Sequence, residues 1–107
     1  MKILVSKAME EGALGITSAL IYTPDVFMTT EELVALAKVA AQYDGIFIAH
    51  IRSEGDRLLE AIDEFVQILS EAKLPGEIYH LKAAGYSNWT KANKANAKID
   101  SARHAGV

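Results

Sequence analysis

The chain has 107 residues, half of them apolar, and a formal net charge of −3 at neutral pH. This length allows one compact core and is short for two ordinary domains, so we expect residues 1–107 to form a single domain. Cysteine is absent, which excludes disulfides and thiolate metal ligands and favours a cytoplasmic protein. Neither a signal peptide nor an apolar stretch of bilayer length is present, so we expect no membrane partner.

The charge is unevenly distributed along the chain. Residues 81–107 carry five cations against Asp100 alone, namely Lys82, Lys91, Lys94, Lys98 and Arg103. A basic helix can attract nucleic acid, but this one has only Trp89 as an interleaved aromatic residue and contains no nucleic-acid motif. We therefore interpret it as a solvated face and expect no nucleic-acid partner.

The first half of the chain contains two helical patterns around a short strand. Residues Met1 to Glu11 favour a leading N-terminal helix, although the run MKILV is also compatible with a strand. Leu14 to Thr17 is the first predicted strand. The helix predicted from Thr30 to Tyr43 has Thr29 and Glu32 at capping-box spacing before it, and Asp44-Gly45 after it.

The second half repeats the alternation of strand and helix. Ile46 to His50 is a strand, Asp56 to Lys73 a helix that stops at Pro75-Gly76, Glu77 to Leu81 a strand, and Asn88 to His104 the last helix. Trp89 belongs to the apolar stripe predicted for that helix. The fold class is α/β, with three β-α units around a short parallel sheet. Such a sheet has open edges, so we expect a homo-oligomer or part of a larger barrel.

Two histidines mark the ends of the second and third predicted strands. Alternation places Ile46, Ile48 and His50 on one face, and it gives Ile78, His80 and Lys82 the same pattern. Because neighbouring strands lie about 4.8 Å apart, we expect both imidazoles at the same end of the sheet, within reach of one metal ion. Two protein ligands are one fewer than a catalytic zinc site uses. The alternative is that both histidines are merely hydrogen-bonded polar residues.

Other polar residues have less specific patterns. Arg52 and Glu54 are close enough to pair with each other or to reach the strand ends, and we favour an ion pair that orders the loop. His104 suits the negative end of the last helix dipole. None of Ser18, Ser53 and Ser87 lies in a nucleophile-elbow motif, so a serine hydrolase is not expected.

Three segments together resemble a known enzyme family. GALGITSALIYTP, TTEELVALAKVAAQYDGIFIAHIRSEGDRLLEAIDE and IYHLKAAGYSNW resemble the N-acyl-D-amino-acid deacylases (D-aminoacylases), a zinc branch of the amidohydrolase superfamily with a (β/α)8 TIM barrel. The resemblance covers nearly the whole chain and implies roughly barrel units four to six. It implies zinc as cofactor and an N-acyl amino acid as small-molecule partner.

The resemblance also implies roles for individual residues. His50 and His80 match metal ligands on the fifth and sixth barrel strands, Lys82 matches the residue that holds the substrate α-carboxylate, and Tyr22 matches a residue lining the substrate pocket. The family's H-x-H motif, bridging Cys or Glu and catalytic aspartate have no counterpart in this sequence, so no catalytic residue is assigned.

Three functions follow as hypotheses. The chain is a segment of a zinc-dependent deacylase with little or no activity alone, or a metal-dependent hydrolase whose site is completed by oligomerisation, or a non-catalytic binding or scaffold module. The first is preferred. Because only two strong ligands are evident, the second requires at least two chains per site.

Overall fold

A computed structural model describes residues 1–107 and shows four helices and three strands. Their order is α1 (Lys2–Glu10), β1 (Gly15–Ala19), α2 (Thr30–Ala41), β2 (Ile46–His50), α3 (Leu58–Ala72), β3 (Gly76–Ile78) and α4 (Ala92–His104). Short 3₁₀ turns at Asp25–Phe27 and Tyr86–Lys91 precede α2 and α4. The predicted leading helix is confirmed, and the strand interpretation of MKILV is wrong.

The three strands form one parallel sheet in the order β1-β2-β3. Gly15 pairs with Ile46 at one end of β1 and Ala19 with His50 at the other. The predicted first strand, Leu14 to Thr17, is therefore displaced: Leu14 is outside it and the strand continues through Ser18 and Ala19. These two small residues have weak strand propensity, and pairing with β2 rather than local preference makes them extended.

Helices cover only one face of the sheet. Phe47 and Ala49 of β2 are fully buried in the core, whereas Ile46 and Ile48, which alternate with them, are only partly buried and lie outside the core. The largest fully buried side chains are Phe47, Leu20, Ile51, Leu58, Ile62 and Ile68. The other face of the sheet, which carries Ile46, Ile48 and His50, has no helix over it.

The local signals for α2 and α3 agree with the structure. Thr29 Oγ1 accepts a hydrogen bond from the backbone N–H of Glu32, and the Glu32 carboxylate accepts one from the N–H of Thr29, which completes the predicted capping box. In α3 the buried side includes Leu58, Ile62 and Phe65, and Phe65 stacks on Phe47 with ring centroids 5.6 Å apart. This contact joins α3 to the covered face of the sheet.

The last helix begins later than predicted. Asn88 to Lys91 belong to the 3₁₀ turn, and α4 starts at Ala92. As a result Trp89 is not part of the buried stripe: it is 63% exposed and packs edge-on against Tyr86. No helix in the structure combines the length and the apolar character needed to cross a lipid bilayer.

Candidate metal centre at the strand ends

His50 is the last residue of β2 and projects from the uncovered face of the sheet. Its side chain is 14% exposed, and Nε2 is buried without a hydrogen-bond partner. Glu54 Oε1 lies 3.4 Å from this nitrogen, close enough for electrostatic contact but without forming a hydrogen bond. An unpaired buried polar atom is uncommon in proteins and indicates a group that is available to a ligand.

His80 reaches His50 by a route that strand alternation did not predict. Ile78 pairs with Ala49, so it lies on the covered face, and a continued strand would place His80 there as well, opposite His50. Instead β3 ends at Ile78, and the chain turns with His80 at a φ of 35°. The turn brings the two rings to a centroid distance of 4.5 Å. The predicted proximity is confirmed, but the register argument for Ile78, His80 and Lys82 is wrong.

Glu54 is the residue whose position the sequence patterns misjudged. Its Oε1 lies 3.4 Å from His50 Nε2 and 3.1 Å from His80 Nδ1, and its side chain is only 13% exposed. The expected pairing with Arg52 is wrong, because Arg52 turns to the other side of the loop. The sequence signal for a third ligand was a carboxylate four residues after the histidine that ends the strand. The claim that no third ligand lies beside the two histidines is therefore also wrong.

Arg52 connects the loop after β2 to α3 and to the segment before α2. Its guanidinium donates two hydrogen bonds to the Glu64 carboxylate, at 2.8 and 2.9 Å, and one each to the carbonyls of Val26 and Met28. Burial alone would raise the pKa of Glu64, but the hydrogen bonds from Arg52 and Thr30 outweigh it, so that pKa is lowered. Because the Glu64 carboxylate accepts these hydrogen bonds, the pKa of Arg52 is raised. With Arg52 held there, Glu54 has no arginine partner.

The loops after β2 and β3 are joined by polar contacts around the buried side chain of Asn88. The N–H of Ala84 donates to the carbonyl of Glu54 at 2.7 Å. Asn88, which is 5% exposed, donates from Nδ2 to Asp56 Oδ1 and to the carbonyl of Ala84, and it accepts from Lys91. These contacts hold the segment that carries Glu54 against the segment that carries Lys82. They indicate that the separation of the two backbone segments is fixed by the fold.

The remaining predicted site residues, Lys82 and Tyr22, adjoin the same group. Lys82 Nζ lies 2.5 Å from Glu54 Oε1 and 2.7 Å from His80 Nδ1. The Tyr22 ring meets the His50 ring edge-on at a centroid distance of 5.3 Å, and Tyr22 is 62% exposed. All four residues singled out in the sequence are thus close together. This arrangement is compatible with the substrate-binding roles implied for Lys82 and Tyr22, which stay predictions.

An open pocket of about 370 Å³ lies beside the two histidines. Its lining residues are Thr17, Ser18, Ala19, Asp25, His50, Tyr79 and His80. The hydrogen bond from Ser18 Oγ and that from the N–H of Ala19, at 2.7 and 2.9 Å, lower the pKa of Asp25. Asp25 therefore contributes a fixed negative charge to the pocket. The volume is within the range of small-molecule sites.

The three residues His50, Glu54 and His80 have the composition of a metal site. One ligand atom from each lies within 4.8 Å of the others. Two imidazole nitrogens and one carboxylate oxygen are donors that zinc accepts, and three protein ligands leave a fourth position open, as in catalytic zinc sites. The buried and unpaired Nε2 of His50 supports the fit. The group could therefore bind a metal ion.

The chain is similar to known proteins over nearly its whole length. No protein-family model matches the chain. The N-acyl-D-glutamate deacylase of Alcaligenes xylosoxydans xylosoxydans is 36% identical over 107 residues, which is 100% of this chain and 22% of that protein. The D-aminoacylase of the same organism is 31% identical over 102 residues, 95% of this chain and 21% of that protein. The chain thus spans about a fifth of the length of these relatives.

Solved structures agree with these similarities. An N-acyl-D-glutamate deacylase from Bordetella bronchiseptica, complexed with zinc and a phosphonate mimic of the tetrahedral intermediate, matches 99% of this chain and 22% of that one, with a TM-score of 0.96 and 32% identity. A D-aminoacylase described as defining a novel subset of amidohydrolases matches 96% and 22%, with a TM-score of 0.93 and 28% identity. The predicted fold class is confirmed. The chain is homologous to one segment of the N-acyl-D-amino-acid deacylases.

Proposed function

We propose that the chain forms the metal-binding part of a zinc-dependent deacylase of N-acyl-D-amino acids. The observation that carries the proposal is the cluster of His50, Glu54 and His80 at the strand ends, with one ligand atom of each within 4.8 Å of the others. Its support is the similarity to a zinc-containing N-acyl-D-glutamate deacylase. In this proposal His50, Glu54 and His80 hold the zinc ion.

Bound zinc would polarise an amide carbonyl and lower the pKa of a water molecule. The protein's own residues place the substrate beside it. Lys82, an exposed cation at the edge of the cluster, suits the free carboxylate of an N-acyl amino acid. Tyr22 covers the edge of the His50 ring and, being largely exposed, offers a surface for the acyl group.

Proton transfer is the part of the reaction for which the chain has no evident group. Asp25, which lines the pocket beside the histidines, has a lowered pKa. A carboxylate that stays ionised at neutral pH is a poor general acid. The family's catalytic aspartate has no counterpart in the sequence either. We therefore propose little or no hydrolysis by this chain alone.

We expect the purified chain to bind zinc and to hydrolyse N-acetyl-D-glutamate at no more than the background rate of zinc in buffer. Calorimetry for binding and a coupled assay for released glutamate measure the two properties, with N-acetyl-L-glutamate as the control substrate. Turnover that requires zinc and is lost in both H50A and H80A would contradict the expected inactivity. Turnover without zinc that survives both substitutions would overturn the proposed site.

A working hydrolase is a second candidate because of Glu54. Three protein ligands from one chain remove the earlier requirement that a second chain complete the metal site. In that case K82A should mainly weaken binding of substrates with a free carboxylate, with a smaller effect on kcat. Zinc binding without turnover or substrate binding would instead favour a non-catalytic module.

We further propose that the chain is cytoplasmic and forms a homo-oligomer. The face of the sheet with Ile46 and Ile48 has no helix over it, and β1 and β3 each have one unpaired edge. Light scattering should show a dimer or larger species at micromolar concentration, and I48K should shift it to monomer. Ile3 is 84% exposed on α1, so I3K is the matched control and should leave the mass unchanged. A folded wild-type monomer would contradict the expectation.

A further inference from the structure

Lys82 holds two of the three atoms that a metal ion would use. Its ammonium lies 2.5 Å from Glu54 Oε1 and 2.7 Å from His80 Nδ1, while these two ligand atoms are themselves 3.1 Å apart. An ammonium has only protons to donate, so both atoms act as hydrogen-bond acceptors toward it. The Lys82 ammonium thus contacts the ligand atoms of Glu54 and His80, whereas His50 Nε2 has no hydrogen-bond partner.

His80 Nδ1 cannot bind zinc while it accepts a hydrogen bond from the Lys82 ammonium. The ring nitrogen of a neutral imidazole has one lone pair, and the lone pair of His80 Nδ1 that accepts from Lys82 is the one a metal would need. Zinc binds imidazole nitrogen and carboxylate oxygen at about 2.0–2.2 Å. Lys82 must therefore leave His80 before zinc can bind there, and repulsion between the cations favours its departure from Glu54 as well.

We infer that Lys82 is an internal cation which competes with zinc for Glu54 and His80, and that zinc binding releases its ammonium to the open side of the site. The inference rests on the proposed zinc site. If zinc releases the Lys82 ammonium, that ammonium becomes available to a carboxylate ligand only when the metal is present. Metal and anion then bind cooperatively, and the coupling is reciprocal.

The exposure of Lys82 favours displacement of its ammonium by zinc. The Lys82 side chain is 48% exposed and stands on a flexible four-carbon stem, so its ammonium can move into water with little loss of solvation. Glu54, by contrast, is 13% exposed, and its backbone carbonyl is held by Ala84. The carboxylate therefore stays in place while the cation beside it changes.

The first test compares zinc affinity in K82M and wild type by calorimetry with a competing chelator. Removing the ammonium leaves Glu54 and His80 free, so K82M should bind zinc about tenfold more tightly. K98M is the matched control: Lys98 is paired with Asp63 on α3, away from the cluster, and its loss removes the same charge. K98M should bind zinc as the wild type does.

The second test uses the wild-type chain and does not depend on substitution. Brief acetylation by acetic anhydride, read by mass spectrometry, should modify Lys82 several times faster when zinc is added, while Lys98 is unchanged. If H50A abolishes zinc binding but K82M binds no more tightly than wild type and the acetylation of Lys82 does not rise, the competition is refuted and the zinc site stands. If neither wild type nor K82M binds zinc, both the site and the competition are refuted.

Discussion

Replacing His50 with alanine should weaken zinc binding by about a hundredfold or more. Substitutions of residues that only orient metal ligands already cost 10- to 100-fold in affinity, and removal of a ligand costs at least as much. H80A should have a similar effect. E54Q should also weaken binding, because the neutral amide lacks the negative charge that a carboxylate presents to the metal. Calorimetry on the purified variants measures each change.

E54Q is the most informative of these substitutions, because the sequence did not predict Glu54 to be a ligand. Glu71 is an exposed glutamate on α3 that accepts a hydrogen bond only from Gln67, so E71Q removes the same charge without touching the cluster. Equal zinc affinity in E54Q and the wild type would show that zinc, if bound, is held by the histidines alone. Circular dichroism of each variant confirms that the fold is retained.

Replacing Arg52 with methionine should lower the free energy of unfolding by about 2–4 kcal/mol at pH 7. Arg52 and Glu64 are 27% and 14% exposed, and the substitution leaves a mostly buried carboxylate without its cation and two carbonyls without a donor. Urea denaturation measures the change. Arg103, an exposed residue near the end of α4, provides the control, and R103M should change stability by less than about 0.5 kcal/mol.

The same ion pair gives a pH dependence. The pKa of Glu64 is lowered in the folded protein from its ordinary 4.5, so its contribution to stability is complete above that value and is lost as the pH falls through the lowered pKa. In R52M the hydrogen bonds and charge of Arg52 are gone, and burial, which favours a higher pKa for Glu64, is opposed only by Thr30 and Arg57. The variant should therefore lose less stability than the wild type between pH 5 and 3. An equal loss in both proteins would refute this role of Glu64.

Local sequence signals were sufficient for α2, for α3 and for the position of His50. The capping box at Thr29 and the apolar stripe of α3 depend on contacts within a few residues, and both agree with the structure. Ile46 to His50 alternates as expected because β2 is the central strand and pairs on both sides. Long segments with a regular period, and strands held by two neighbours, are determined mainly by their own sequence.

The position of His80 depends on where pairing stops, which the period of the sequence does not encode. Tyr79 still donates to the carbonyl of Ala49, but β3 ends at Ile78 and the turn at His80 reverses the face that alternation predicts. Glu54 was misjudged for a related reason. Its nearest cation in the sequence, Arg52, is held by Glu64 on α3 and by two carbonyls before α2, which are contacts between distant residues.

Anomalous diffraction at the zinc edge from crystals of the zinc-loaded chain tests the proposed metal site most directly. We expect one strong peak at about 2.0–2.2 Å from His50 Nε2, Glu54 Oε1 and His80 Nδ1, with the Lys82 ammonium displaced from Glu54. A peak at any other place in the chain, or a zinc ion bound by the histidines while Glu54 stays paired with Lys82, would contradict it.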